Sequence, residues 1–493
     1  MKTIPEMFHT IAMRNATRTA VVDGGIAVSY AELEGMVSAL AAQLYDMGVR
    51  LGDRVGLMLR NSLDFVVSYR AIAALGAIVV PLNEHYQQTE LLYFLDACGV
   101  SLVMTSKEFA PLCQQVVSSH QAPCKLLVID DHRRKYNAGL ESPEDLPFEI
   151  DPDTPLMYQF SSGSTGTPKK IARTHRNLLF ELDSLVQALD AKNTDRFLGV
   201  APFSHVNGLV RSMMASQRAG ATLYPVPRFE RRAVAELIEK NRITVFIAVP
   251  FMFSILAQAR FRRQPDFSSL RLAISSSAPM PKKHNQQFYK RFSMYVRQLY
   301  GSTETGTISV NLSEDIENSL DSVGTPIRGV EVGVFTDDGR VAEVEEMGEF
   351  AVRSPTAIKG YKGLDELNKE VFRNGYFFTG DLGRKDQNGL LYLVGRKKFF
   401  INKAGFKIDP REVEDLLEGH PKVEEVVVVG VPRAYGDEKV KAVIIPNAPC
   451  TEQEIVDYCR GKIADFKIPS VVEFRDSLPK SPTGKIRRGM LRE

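Results

Sequence analysis

Apolar residues recur along this chain with two periods. Leu33, Val37, Leu40 and Leu44 fall on one face of a helix. Ahead of them Ser29-Tyr30-Ala31-Glu32 has the spacing of a capping box, and behind them Gly48 suits a helix stop. Residues 20–28 predict a hairpin turning at Asp23-Gly24-Gly25. Short apolar runs predict strands over 54–59, 77–80, 101–105 and 125–129. Helical spacing predicts 63–75 and 89–97, the latter ended by Gly99. This alternation implies parallel sheets flanked by helices.

Residues 131–155 change character, being charged and carrying Pro143, Pro147, Pro152 and Pro155; they predict a surface connector. The alternation then resumes, with helices over 231–240 and 251–260 and strands over 244–249 and 270–275. Phe251, Met252 and Phe253 either line a pocket or belong to the core. Residues 324–393 shift to short strands and Gly/Asp turns such as Asp337-Asp338-Gly339, the pattern of a small β subdomain. Past Arg396, strands over 424–431 and 439–445 precede a helix that starts at the capping box Thr451-Glu452-Gln453-Glu454.

Composition narrows the class. A chain of 493 residues holds two or more domains, and 44% hydrophobic with 25% charged residues is ordinary for a globular protein. A net charge of +2 implies no nucleic-acid or membrane partner. Five cysteines without C-x-x-C spacing argue against a disulfide framework or zinc site and for a reducing cytoplasm. Met1-Lys2-Thr3-Ile4-Pro5 lacks the apolar core of a signal peptide. The longest apolar run, 71–82, contains Gly76 and Pro81 and is too short to span a bilayer.

The candidate chemistry centres on one loop. Residues 156–160 predict a short strand, followed by Ser161-Ser162-Gly163-Ser164-Thr165-Gly166-Thr167 and closed by Pro168, Lys169 and Lys170. Hydroxyls, glycines that admit a close backbone approach and a nearby ammonium suit a polyphosphate. The spacing is not that of the Walker loop, and an ordinary polar surface loop is the alternative.

Five further stretches accompany it. They are Ala201-Pro202-Phe203-Ser204-His205-Val206-Asn207-Gly208, Tyr300-Gly301-Ser302-Thr303-Glu304, Tyr376-Phe377-Phe378-Thr379-Gly380-Asp381, Gly395-Arg396-Lys397-Lys398 through Gly405, and Pro479-Lys480-Ser481-Pro482-Thr483-Gly484-Lys485. In order and spacing the six resemble the acyl-adenylate-forming superfamily, over nearly the whole chain and on the acyl-CoA synthetase branch. The resemblance implies an α/β fold: a large N-terminal domain (1–396) of parallel-rich αβαβα layers with a small β subdomain, and a small mobile α+β C-terminal domain (397–493). It implies ATP, Mg²⁺ and coenzyme A as cofactors. The expected reaction activates a carboxylic acid, a medium- or long-chain fatty acid, as acyl-AMP and passes it to a thiol. An aryl acid and a carrier-protein acceptor are alternatives; a non-catalytic nucleotide sensor and a luciferase-type oxidase are remoter ones.

By the same resemblance Ser161, Ser162, Gly163, Ser164, Thr165, Gly166 and Lys169 cradle the phosphates. Glu304 is a hard oxygen ligand suited to Mg²⁺. Thr303 bonds phosphate, Tyr300 stacks near adenine, Gly301 belongs to the same nucleotide-binding stretch, and Ser277, Ala278 and Pro279 form the adenine wall. Asp381 accepts the ribose hydroxyls beside the charge of Arg396. His205 gates the acid pocket, which Asn207, Gly208 and Ser276 line. Lys398 is the hinge, Gly405 lines the thiol passage, and Lys485 meets the acid carboxylate and α-phosphate. The partners implied are a small-molecule carboxylic acid and CoA or an acyl or peptidyl carrier protein, with no nucleic acid, no integral membrane segment, and a monomer or homodimer in the cytoplasm. Three stretches depart from the pattern: Lys170 stands for glycine, Ser275 to Ser277 stand where glycines are frequent, and Phe399 replaces a polar residue. No aspartate near His205 suits an amino group, which disfavours an amino-acid substrate.

Overall fold

A computed structural model of the chain describes residues 1–120, 122–129, 149–161, 168–403, 406–432, 438–480 and 486–492. Side chains at Ser161, Lys398, Asn402, Phe406 and Lys407 lie outside that description, as do residues 131–148 of the expected connector. Two compact units partition the chain, one of residues 1–331 with 352–377, the other of 332–351 with 378–493.

The first unit is built on two sheets. Strands β1 (Thr19–Asp23) and β2 (Ile26–Ser29) form the expected hairpin, followed by β3 (Arg54–Met58), β4 (Ile78–Pro81), β5 (Leu102–Ser106) and β6 (Lys125–Ile129). Strands β7 (Pro155–Ser161) and β8 (Lys169–Thr174) complete one sheet, in the order β6-β5-β3-β4-β7-β8. Its pairs are parallel except β7–β8, in which Ser161 stands opposite Lys169. The strands on either side of the hydroxyl- and glycine-rich stretch are therefore an antiparallel pair.

The second sheet adds β9 (Arg196–Gly199), β10 (Thr222–Pro225), β11 (Val245–Ala248), β12 (Leu272–Ser276), β13 (Arg297–Ser302), β14 (Gly306–Val310) and β15 (Ser322–Pro326). They run β15-β14-β13-β12-β11-β9-β10-β1-β2, parallel from β1 through β13 in that order and antiparallel at the ends. Open parallel sheets place ligands beyond the carboxyl ends of their strands. Here those ends carry Gly199, Ala248, Ser276 and Ser302.

Local sequence fixes the helices. Ser29 Oγ accepts the Glu32 N–H and Glu32 Oε2 accepts the Ser29 N–H, closing the capping box of helix Tyr30–Asp46. Gly99, at φ 63°, ends helix Gln88–Cys98 in the left-handed region that glycine tolerates. Met252 and Phe253 pack in the core, Phe253 against Phe246 and Phe288 at ring separations of 4.9 and 5.4 Å. They are core residues rather than pocket lining.

In the expected β subdomain, short strands Glu331–Phe335, Gly348–Arg353, Tyr376–Lys385 and Leu391–Arg396 lie side by side in that order, with Gly339 at φ 87° in the Asp337-Asp338-Gly339 turn. Strands Val423–Pro432, Glu438–Pro446 and Val471–Phe474 form a three-stranded sheet. Helix Pro410–Glu418 and helix Glu452–Cys459 cover it through Val413, Leu417, Ile455 and Cys459. Among the described residues of the whole chain no helix is long and apolar enough to cross a membrane.

His175, the first residue of helix His175–Ala188, is buried, and its Nδ1 accepts the Ile4 N–H at 3.3 Å. Burial pushes its imidazole down to about 4, with Glu6 opposing. The unfolded chain therefore binds a proton that the folded chain refuses once pH falls below the ordinary value of 6.5. Stability contributed by the neutral ring is complete above that pH and declines toward pH 4, by at most about 1.4 kcal/mol per pH unit. Thermal denaturation between pH 7 and 4.5 should show a shallower acid loss in His175→Gln than in the native chain; parallel curves would contradict it.

Candidate active site

The turn between β13 and β14 holds Thr303, Glu304 and Thr305, and everything below it is charged and buried. Arg173, on β8, and Glu181, on helix His175–Ala188, have no solvent exposure and pair at 2.7 Å. Glu181 Oε1 accepts both the N–H and the hydroxyl of Thr307, at 2.8 and 2.9 Å. Arg173 Nη1 donates to the Thr303 carbonyl at 3.3 Å. On the other side Arg211 donates from Nε to Thr307 Oγ1 at 3.2 Å and from Nη1 to Ser276 Oγ at 2.6 Å. Burial would raise the Glu181 carboxyl, but the charges of Arg173 and Arg211 and the bonds from Arg173 and Thr307 hold it below its ordinary range. Burial also pushes the Arg211 guanidinium down to about 10, with Glu181 opposing.

Two glycines make room for this lattice. A Cβ on Gly301 would lie 2.3 Å from the Gly306 carbonyl oxygen and 2.4 Å from Arg211 Nη2. One on Gly306, at φ 70°, would lie 2.5 Å from Glu181 Oε2. The glycine of Y-G-S-T-E thus answers to the ion network beneath the turn.

Above the lattice, Glu304 is anchored from several sides. Its carbonyl accepts the Ile358 N–H at 2.9 Å, and Thr356 Oγ1 donates to the Thr305 carbonyl. The Tyr361 hydroxyl donates to Glu304 Oε1 at 2.9 Å. The same ring lies 5.0 Å from Lys169 Nζ, a cation–π distance. Tyr361 itself packs with Ile171, Ile358 and Phe377. One aromatic side chain therefore joins the lysine after the hydroxyl-rich loop to the carboxylate of the Y-G-S-T-E turn. Glu304 Oε2 has no hydrogen-bond partner among the described residues. An oriented carboxylate with one open oxygen fits Mg²⁺, which takes one or two protein carboxylates and fills its shell with phosphate and water oxygens.

His205 stands before the short helical turn Val206–Gly208, after a loop clamped by Asn61. Asn61 Nδ2 donates to the Gly199 and Ala201 carbonyls at 3.0 and 2.8 Å, and its Oδ1 accepts the Phe203 N–H at 2.7 Å. Asn83 Oδ1 accepts the His85 N–H, which turns Asn83 Nδ2 toward His205 Nε2 at 2.9 Å. His205 Nε2 is then the acceptor, and Nδ1 carries the proton. Desolvation pushes this imidazole down to about 4, so it is neutral at physiological pH. Gly208 has a packing reason: a Cβ there would meet the Ala201 and Pro202 carbonyls at 2.2 and 2.4 Å. Asn207 Nδ2 reaches the Ala248 carbonyl at 3.5 Å. Ser277, in place of a frequent glycine, keeps a positive φ of 76°, a conformation that costs a non-glycine residue energy. Ala278 and Pro279 follow it toward the surface. Tyr300 is buried in β13.

In the second unit Asp381 and Arg396 stand opposite each other on adjacent antiparallel strands, with Oδ1 and Nε 2.7 Å apart. The Asp381 N–H donates to Thr379 Oγ1 at 3.0 Å. Ser162, Gly163, Ser164, Thr165, Gly166, Gly405 and Lys485, and the side chains of Ser161 and Lys398, lie outside the described residues.

Sequence reasoning missed Tyr361, Arg173, Glu181, Thr307 and Arg211. A signal existed for three. Glu181 takes a place on the apolar face formed by Leu178, Leu182 and Leu185; Arg173 shares the inward face of its strand with Ile171; and Arg211 interrupts the run Leu209-Val210 and Met213-Met214. A charge in an apolar phase is buried and must be paired.

Residues 8–362 match the model of a family described as AMP-binding enzyme, and residues 412–485 match that of the AMP-binding enzyme C-terminal domain. The chain is 31% identical over 474 residues to the long-chain-fatty-acid–CoA ligase FadD13 of Mycobacterium tuberculosis, covering 95% of this chain and 93% of that protein. It is 33% identical over 478 residues to a feruloyl-CoA synthase of an Amycolatopsis species, covering 96% and 95%. The crystal structure of ATP-bound MatB from Rhodopseudomonas palustris superposes with a TM-score of 0.89 at 27% identity, covering 99% of this chain and 98% of that one.

Removing one member of the buried pair should be costly. Glu181→Gln leaves two buried guanidiniums without a carboxylate, and Arg173→Met takes from Glu181 its 2.7 Å partner; each is expected to lose about 3–5 kcal/mol in urea denaturation. The double replacement Arg173→Met with Glu181→Met should recover part of that. A loss below about 1 kcal/mol for either single variant would contradict the pairing.

Proposed function

The chain belongs to the AMP-binding enzyme family, and we propose on that premise that it joins a carboxylic acid to a thiol in two steps at one site. It is an AMP-forming acid–CoA ligase. An oxygen of the acid attacks the α-phosphorus of ATP, the bond to pyrophosphate breaks, and acyl-AMP forms. The sulfur of CoA then attacks the acyl carbon, the bond to AMP breaks, and the thioester remains. The long-chain-fatty-acid–CoA ligase and feruloyl-CoA synthase relatives are named for a fatty acid and an aryl acid, and these two classes are the first to try.

The meeting of Lys169, Tyr361 and Glu304 is the observation that carries this proposal. Phosphoryl transfer needs positioning and charge stabilisation more than covalent help. Lys169 brings a cation, and Glu304 a metal-binding oxygen, to opposite parts of one tyrosine. Tyr361 touches both, the lysine through its ring and the carboxylate through its hydroxyl. Bound Mg²⁺ would neutralise charge on the phosphate oxygens. Neutral His205 closes the acid pocket without adding a charge. Asp381, steadied by Arg396, takes the ribose hydroxyls. Ser161 to Gly166 cradle the leaving phosphates. Residues 397–493 act as a lid turning at Lys398, with Gly405 beside the thiol and Lys485 delivered to the reacting carboxylate. An ammonium at that point offsets repulsion between two anions. A carrier-protein phosphopantetheine is the second acceptor to try, and the enzyme works in the cytoplasm as a monomer or homodimer.

Pyrophosphate release measured across fatty and aryl acids, with and without CoA, tests the activity. Release should require an acid, and thioester should appear only with CoA. Lys485→Ala should slow acyl-AMP formation on the order of 100-fold or more, yet still pass supplied acyl-AMP to CoA. Equal loss of both steps would contradict the assigned role of Lys485. Release from no acid would contradict the ligase.

A further inference from the structure

The carboxyl edge of the second sheet is too polar and too positive for a bare hydrocarbon. Two of its strand ends face helical residues 206–214. At β11, Ala248 receives Asn207; beside Ala248 in register stands Ser275; and at β12, Ser276 receives Arg211. All four side chains are at least nine-tenths buried, and Asn207 Oδ1 and Ser275 Oγ have no hydrogen-bond partner among the described residues. Residues Leu209–Met214, which contain Arg211, form a π-helix, an irregularity found most often at functional sites.

The charges do not balance. Arg211 and Arg173 share Glu181, so two buried guanidiniums face one buried carboxylate. Arg211 spends Nε on Thr307 and Nη1 on Ser276, and Nη2 has no hydrogen-bond partner among the described residues. A surplus cation in the interior is unfavourable unless an anion joins it. Arg211 lies six residues past His205, on the order of 7–9 Å along the helical segment.

Resting on the ligase function proposed above, we propose that Arg211 receives a second carboxylate of the acid substrate, so that the acid is a short dicarboxylic acid. One carboxylate reacts; the other takes two donors from the guanidinium fork, with Ser276 and Asn207 beside it. Guanidinium suits this better than ammonium, because its planar fork matches both carboxylate oxygens. Ser276, within the Ser275 to Ser277 run, then has a use that a glycine would not serve, since its hydroxyl already meets Arg211 Nη1.

Matched pairs of acids test it on the full chain with ATP, Mg²⁺ and CoA, by pyrophosphate release: butyrate against succinate, valerate against glutarate, benzoate against terephthalate. The diacid of at least one pair should exceed its monoacid in kcat/KM on the order of 100-fold. Arg211→Met should lose that preference, with the diacid falling on the order of 100-fold and the monoacid by much less. Arg211→Lys should restore part of it. If Arg211 instead held the reacting carboxylate or a phosphate, Arg211→Met would depress both acids equally, and the inference would be overturned. If Arg211→Met does not fold, the native chain decides by its own preference: monoacids equal to or better than diacids overturn the inference and leave the ligase standing. Release from no acid at all overturns both.

Discussion

Two buried arginines compete for one buried carboxylate beneath the β13–β14 turn, and the geometry above them follows from that. An interior charge is tolerated only where partners surround it, so Arg173, Glu181 and Arg211 cannot drift independently. Glu181 takes both the N–H and the hydroxyl of Thr307, which fixes the register of β14. A slip of one residue would turn Thr307 to the opposite face and strand the carboxylate. Arg173 also holds the Thr303 carbonyl, so the residue before Glu304 is tied to the same lattice.

That arrangement separates structural duties from chemical ones within a single motif. Gly301 and Gly306 exist for clearance over Arg211 and Glu181, whereas Glu304 is left with one carboxylate oxygen held by Tyr361. The same division recurs at the His205 stretch. Gly208 lies against two carbonyl oxygens and Asn61 clamps the loop, while His205 stays neutral against Asn83. Rigid support of this kind is what a site needs when its work is to align charged reactants.

Much of the fold was legible in local pattern. The capping boxes at Ser29 and Thr451 and the stop at Gly99 are short-range hydrogen-bond chemistry, and the structure contains each. Helix Ile4–Arg14 escaped sequence analysis although Ile4, Met7, Phe8 and Ile11 have helical spacing behind Thr3 as cap. Helix His175–Ala188 escaped because Glu181 breaks its apolar face. The site was legible only where a motif concentrates it in sequence. Tyr361 meets Glu304 across 57 residues and Thr307 meets Glu181 across 126, contacts that depend on strand order rather than on neighbours in the chain.

The central claim is that the fully buried carboxylate acts through the half-buried one: Glu181 positions the turn, and Glu304 does the work. A double-mutant cycle on the rate of acid-dependent pyrophosphate release, with Glu181→Gln and Glu304→Gln alone and together, tests this most directly. If Glu181 serves the turn, its replacement should slow release strongly in the native chain and add little once Glu304 is already changed. Independent effects, multiplying in full in the double variant, would contradict the account.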